Sequence, residues 1–171
     1  SLLEMAFQTF KAKVTEKKHL TEDVIILSFA IPENFTFKEG QFVTIRVEKG
    51  GEKKMKSYSI LNPPSQKGKM DLCIKLVPGG YASEEFKITE VGKEFEMKGP
   101  FGHFVFDEAL EDDVWLLGAG TGVAPLYSMI KQNIEKFSLR KFVLLFGVRR
   151  KENLFLHEEL ENLAEENENF Q

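Results

Sequence analysis

The sequence contains a single cysteine, Cys73, which excludes an internal disulfide and a cysteine-ligated iron–sulfur cluster within these residues. Histidine is nearly as scarce: His19, His103 and His157 are too scattered to suggest a metal site. Positive charge is not in excess. The formal net charge is −4, so no basic footprint marks a nucleic-acid partner. Long apolar runs are missing too, and no segment approaches the ~20 residues of a membrane-spanning helix. No signal peptide is visible at "SLLEMAFQTFKAK", which makes the cytoplasm the expected location. Tyrosine (3) and tryptophan (1) are rare beside 16 phenylalanines, most of which read as bulky core filler.

What is present is the composition of a globular chain. With 42% hydrophobic and 29% charged residues over 171 positions, it is long enough for one large domain or two small ones. The first hundred residues read as strands and turns. "DVIILSFAI" is β-branched and aromatic and closes at Pro32; "GQFVTIRVEKGG" alternates, with Phe42, Thr44 and Arg46 on one face and Val43, Ile45 and Val47 on the other. "EKGGEK" is a hairpin turn, and Lys49, Lys53, Lys54 and Lys56 around it read as a solvated hairpin. "KMKSYSI", "MDLCIKLV" and "EFEMKGPFGHFVF" are further strands, and "GGYASEEFKI" turns into a short helix. Short strands between Gly/Pro turns suggest a small antiparallel barrel or sandwich.

The period changes after the acidic linker "DEALEDD". "VWLLGA" and "KFVLLFGV" read as buried strands, "GVAPLYSMIKQNIEKF" and "ENLFLHEELENLAEEN" as helices. That β-α-β-α order predicts a parallel sheet with helices on its faces. Two architectures in series predict two domains, over residues 5–106 and 113–171. Two strands do not complete a doubly wound sheet, so the second domain is expected to be truncated at its C-terminal end.

The join between "VWLL" and the first of these helices is "GAGTGVAP", residues 118–125. Gly118, Gly120 and Gly122 let the backbone turn tightly and let a ligand approach closely. The free amides and positive dipole of the helix start favour a phosphate, and Pro125 is tolerated in the first turn. The dinucleotide fingerprint itself is not met: Val123 stands where a third glycine belongs, and Arg140 and Lys141 stand where an acid would grip a ribose.

Together with "FKEGQFVTI", "KSYSI", "KLVPGGYAS", "GPFG" and "LLFGVRRKENLFLHEEL", this turn resembles the ferredoxin–NADP⁺ reductase superfamily over nearly the whole chain. The resemblance implies an N-terminal antiparallel Greek-key β-barrel that binds flavin, followed by a Rossmann-like α/β domain that binds NADP or NAD. FAD is the implied flavin, with FMN the alternative. The family's R-x-Y-S motif falls on residues 56–59. By resemblance Tyr58 packs on the isoalloxazine and Ser59 hydrogen-bonds near its reactive nitrogen, and with Thr121 they form the expected catalytic group. The motif's Arg is here Lys56, a point charge in place of a bidentate fork. Lys75 and Val77 would run beside the flavin; Gly80, Tyr81, Ala82 and Ser83 would face its diphosphate, with Ser83 capping the short helix. Gly118, Gly120, Thr121, Gly122 and Pro125 would take the nicotinamide nucleotide, and Arg149 and Arg150 a phosphate of it.

The function implied is transfer of electrons from NAD(P)H through FAD to a one-electron protein acceptor: a ferredoxin, a flavodoxin or an oxygenase component. These residues on their own are expected to bind flavin and to turn over NAD(P)H poorly. Two other readings stand beside it: an electron-transfer subunit of a larger flavoenzyme, and a flavin-free binding or regulatory module on the same fold.

Overall fold

The computed structural model describes residues 7–171; the first two positions of the predicted N-terminal domain and the first six of the stretch searched for a leader lie outside the described residues. β1 (Gln8–His19), β2 (Val24–Ala30), β3 (Phe42–Lys49), β4 (Glu52–Ser59), β5 (Lys69–Lys75) and β6 (Glu94–Phe101) form one antiparallel sheet in the order β4-β3-β6-β1-β2-β5. The return of β6 to lie between β3 and β1 is the Greek-key step. Beyond β4 the chain reaches the opposite edge: Ile60 bridges to Leu72, and the Leu61 amide donates to the Asp71 carbonyl at 2.9 Å. That contact curls the sheet into a barrel and leaves little open edge.

Alternation decides what fills it. Phe10, Ala12 and Val14 of β1 and Val43, Ile45 and Val47 of β3 point inward and are buried, while Lys11 and Lys13 face water. Each large side chain buried this way contributes about 1.5–3 kcal/mol. The β3–β4 hairpin turns through Gly50 and Gly51 at φ 56° and 80°, left-handed values that a two-residue hairpin requires and glycine adopts freely. α1 (Tyr81–Ile88) plugs one end of the barrel with Phe86, which meets Phe95 at 5.8 Å.

In the second half, β7 (Val114–Ala119) and β8 (Phe142–Gly147) are parallel, and α2 (Val123–Asn133) and α3 (His157–Glu166) follow them. One expectation needs correction. Both helices pack on the side of Leu116, Phe142 and Leu144; on the other side Val143 is buried, but Trp115, Leu117 and Leu145 are 63%, 69% and 51% exposed, so the strands are not buried throughout. Residues 169–171 also begin a third parallel line, with the Phe142 amide donating to the Asn169 carbonyl at 2.7 Å and the Gln171 amide to that of Phe142 at 2.9 Å.

The two halves share a core. Val24, Leu61 and Cys73 of the barrel pack with Val123, Ala124, Phe155 and Leu156. Two polar contacts pin the seam: Ser128 Oγ donates to the Asn62 carbonyl at 3.0 Å, and Asn133 Nδ2 to Glu39 Oε1 at 2.9 Å.

Candidate functional site

β4 carries the first part of the site. Its pairing with β3 sets Tyr58 opposite Val43 and Lys56 opposite Ile45, and because strand side chains alternate, these two share the inward-directed face. Ser59, opposite Phe42, takes the other face. The Tyr58 ring meets Phe86 of α1 edge-on, at 5.6 Å and 73°. Burial pushes its phenol up to about 12, so the ring stays neutral at physiological pH. The Ser59 hydroxyl has no hydrogen-bond partner, and Lys56 no ion pair, among the described residues.

The second part is the start of α1, and here the expected cap is corrected. The helix begins at Tyr81 with Gly80 as N-cap, so Ser83 lies inside the first turn. The Gly80 amide donates to the Val77 carbonyl at 2.9 Å, which folds Val77 back over that turn, and Ser83 Oγ accepts from the Val77 amide at 2.8 Å. A Cβ on Gly80 would lie 3.0 Å from the Val77 carbonyl oxygen and 3.2 Å from Ser83 Oγ, so this packing calls for glycine. The amides of Tyr81, Ala82 and Ser83 donate to no group among the described residues, as befits a helix start with a ligand-sized set of free donors. Tyr81 itself is tied down, its hydroxyl donating to the Glu52 carbonyl at 2.8 Å. Val77 is half exposed, and Lys75 forms a 3.3 Å ion pair with Asp23. Burial raises the Asp23 carboxyl, but hydrogen bonds from Thr21 and Lys75 outweigh it and hold the group below its ordinary value.

The third part is the glycine turn, a 3₁₀ turn over Gly120–Gly122 that leads into α2. Its glycines divide by role. A Cβ on Gly118 would lie 2.8 Å from Leu126 Cδ1, so this glycine serves the close approach of α2 to β7. Gly120 adopts φ 53°, and a Cβ on Gly120 or Gly122 would meet nothing within 4 Å, which leaves that side of the turn open. Thr121 is half-buried and Pro125 is buried in the first turn of α2. A shallow, open cleft lies over the carboxyl ends of the parallel strands, lined by Leu117, Gly118, Ala119, Leu145, Phe146 and Gly147. Arg149 and Arg150 follow β8 and are exposed. Arg140 has a structural post instead, stacked 5.2 Å from Phe106 and 5.4 Å from Phe137 while Nε donates to the Asp112 carbonyl.

The fold brings Tyr58 against Phe86 in the last turn of α1, with Lys56 on the same strand face and Ser59 on the other, and it sets the glycine turn against β5. The chain after Ser59 runs directly onto α2 through Leu61 and Asn62. The cleft beside the turn is lined by the α/β half alone. Asn62 and Ser128 had no motif to announce them; only the closure of the barrel makes them neighbours.

Residues 11–106 match the oxidoreductase FAD-binding domain, and residues 116–171 the oxidoreductase NAD-binding domain. The chain belongs to the ferredoxin–NADP⁺ reductase superfamily. Its curated relatives include a glycine betaine monooxygenase reductase subunit of Pseudomonas aeruginosa, 34% identical over 81% of this chain and 38% of that protein. Ferredoxin–NADP reductase B of Sorangium cellulosum is 31% identical over 92% of this chain and 65% of its own. Among solved structures, the Amycolatopsis cytochrome P450 reductase GcoB superposes with a TM-score of 0.89 at 27% identity, over 98% of this chain and 51% of that one. The chain spans about half the length of the curated relatives it matches.

The family's cofactors are FAD and a nicotinamide nucleotide. The residues present fit the first: an aromatic ring and, among the described residues, a hydroxyl with no protein partner, a cation without a counter-ion and a row of free amides are the donor set a flavin and its diphosphate call for. The open side of Gly120 and Gly122 fits the second.

Proposed function

We propose that this chain is the flavin- and nicotinamide-binding part of a cytoplasmic oxidoreductase that passes electrons from NAD(P)H through FAD to a one-electron protein acceptor. The observation that carries the reading is the continuity of the seam: Leu61, two residues beyond Ser59, packs on Val123 and Ala124 at the foot of the glycine turn. The two candidate cofactor sites are therefore built on one shared core.

When bound, the flavin accepts a hydride from the nicotinamide nucleotide and gives up electrons one at a time. The chain's own residues supply position. Tyr58 offers a flat neutral face, braced from behind by Phe86. Ser59 holds a hydroxyl free to donate or accept as a neighbouring nitrogen changes protonation. Lys56 and the amides of Tyr81, Ala82 and Ser83 balance the diphosphate. Thr121, between Gly120 and Gly122, stands where the second ring would enter, and Arg149 and Arg150 are within the carboxyl-end loops that would meet the nucleotide's phosphates.

An oxygenase component is the favoured acceptor, because relatives include monooxygenase reductase subunits and components. A ferredoxin or flavodoxin is the alternative. In the same relatives this chain accounts for less than half the length, which keeps open its role as one module of a larger electron-transfer flavoprotein.

Purification decides the first half of the reading: a yellow protein, or one that turns yellow with added FAD, supports it. Anaerobic addition of NADH or NADPH in excess, bleaching the visible band even slowly, supports the second half. A colourless protein that takes up neither FAD nor FMN would mean a flavin-free module.

A further inference from the structure

The register of β4 places a second lysine in line with the flavin residues. Tyr58, Lys56 and Lys54 pair with Val43, Ile45 and Val47, so the three side chains leave one face of the strand. Alternate residues on a strand are spaced ~6.6 Å apart. α1 runs alongside this row. Phe86 meets Tyr58 at 5.6 Å, and Tyr81 lies beneath Lys54, whose Nζ sits 4.5 Å from the ring centroid. Lys56 therefore stands between the two, beside the early turns of the helix.

Lys54 is also seated. The Tyr81 ring beneath it is anchored by its hydroxyl to the Glu52 carbonyl at 2.8 Å, and a cation over a fixed aromatic face has a preferred position. Its ionic partner, Glu52 at 3.4 Å, is 60% exposed, and a pair of that kind is weak enough to give way to a phosphate. Lys53, one residue away, points to the opposite face and reaches Glu48 at 3.5 Å.

We infer that Lys54 is a second phosphate ligand of the flavin. Lys56 neutralises the phosphate nearer the ring system, and Lys54, one strand repeat further from Tyr58, neutralises the phosphate on the adenosine side. Two flexible point charges thus do what a single bidentate guanidinium would do at position 56, and the pair selects FAD over FMN. The assignment rests on the functional reading above.

The test is titration of the whole chain with FAD and with FMN, followed by flavin fluorescence, for wild type and four variants. Lys54→Gln should weaken FAD binding about tenfold, the loss of one charge-assisted hydrogen bond, and leave FMN binding unchanged. Lys54→Arg should restore FAD affinity. Lys56→Gln should weaken both flavins, and Lys53→Gln neither; circular dichroism checks that each variant is folded. Equal FAD affinity in wild type and Lys54→Gln overturns the assignment alone, as does an equal loss of FMN. A wild-type chain that binds neither flavin overturns the assignment together with the reading beneath it.

Discussion

The Ser128 hydroxyl donates to the backbone carbonyl of Asn62 at 3.0 Å across the junction of the two halves, and both residues are buried. Asn62 is held in turn by β5: its Nδ2 donates to the Lys69 carbonyl at 2.9 Å, and its Oδ1 accepts from the Asp71 amide at 2.8 Å. The side-chain amide stands in for one more residue of the sheet ladder, and Ser128 fastens α2 to it.

Removing that fastening should be felt throughout the chain. Ser128→Ala leaves the Asn62 carbonyl buried without its partner, at a cost of about 1–3 kcal/mol. Asn62→Ala loses both ladder bonds and should cost at least as much. Urea unfolding checks both; unchanged midpoints would mean that the apolar seam alone holds the halves together.

Gly40 and Gly79 make a matched pair. Both are left-handed, at φ 103° and 73°, but a Cβ on Gly40 would lie 1.9 Å from the Phe104 carbonyl oxygen and 2.6 Å from Met129 Cε, while one on Gly79 would meet nothing within 4 Å. Gly79→Ala should therefore cost only about 1 kcal/mol of backbone strain. Gly40→Ala should cost more than about 3 kcal/mol or prevent folding, since backbone must move. Thermal unfolding of the two variants side by side gives the comparison.

Cys73 is buried at the seam, and burial pushes its thiol up to about 12 from an ordinary 9.0. The unfolded chain loses that proton first, so unfolding releases a proton once the pH exceeds about 9, and stability falls from there toward 12. Below that window the contribution is complete. Native protein should resist iodoacetamide at neutral pH and react once unfolded. Cys73→Ala should flatten the decline in urea midpoint between about pH 8.5 and 9.5, a range below the ordinary tyrosine value of 10.0.

Tyr58 and Gly122 separate the two cofactor sites. Tyr58→Ala should weaken flavin retention by removing the aromatic face, and the flavin-to-protein ratio after gel filtration measures it. Gly122 has an ordinary negative φ of −63° and open space where a Cβ would go, so Gly122→Ala should leave stability within about 0.5 kcal/mol and flavin content intact. It should instead slow flavin reduction by NAD(P)H, as should a bulky residue at Thr121. Stopped-flow bleaching reads both, and an unchanged rate would remove the nucleotide from that turn.

Much of this protein is local and is written in short windows of its sequence. The alternation in "FVTIRV" sets which side of β3 is buried, the two glycines after it turn the hairpin, and the change of period after "DEALEDD" marks the passage from antiparallel strands to β-α-β. Side-chain period and turn chemistry act within a few residues, so no partner is needed to read them. What the tertiary structure decided depends on partners far away in the chain. Ser83 lost its expected capping role because a turn six residues earlier folds back onto it, and Trp115, Leu117 and Leu145 on the outer face of β7 and β8 are exposed because both helices fall on the same side. Lys54 joins the flavin row only once β4 is registered on β3, and Asn62 meets Ser128 across 66 positions only once Ile60 has closed the barrel on Leu72. Register and closure are set by the packing of the whole core, because a slip of one residue would turn every inward side chain to water.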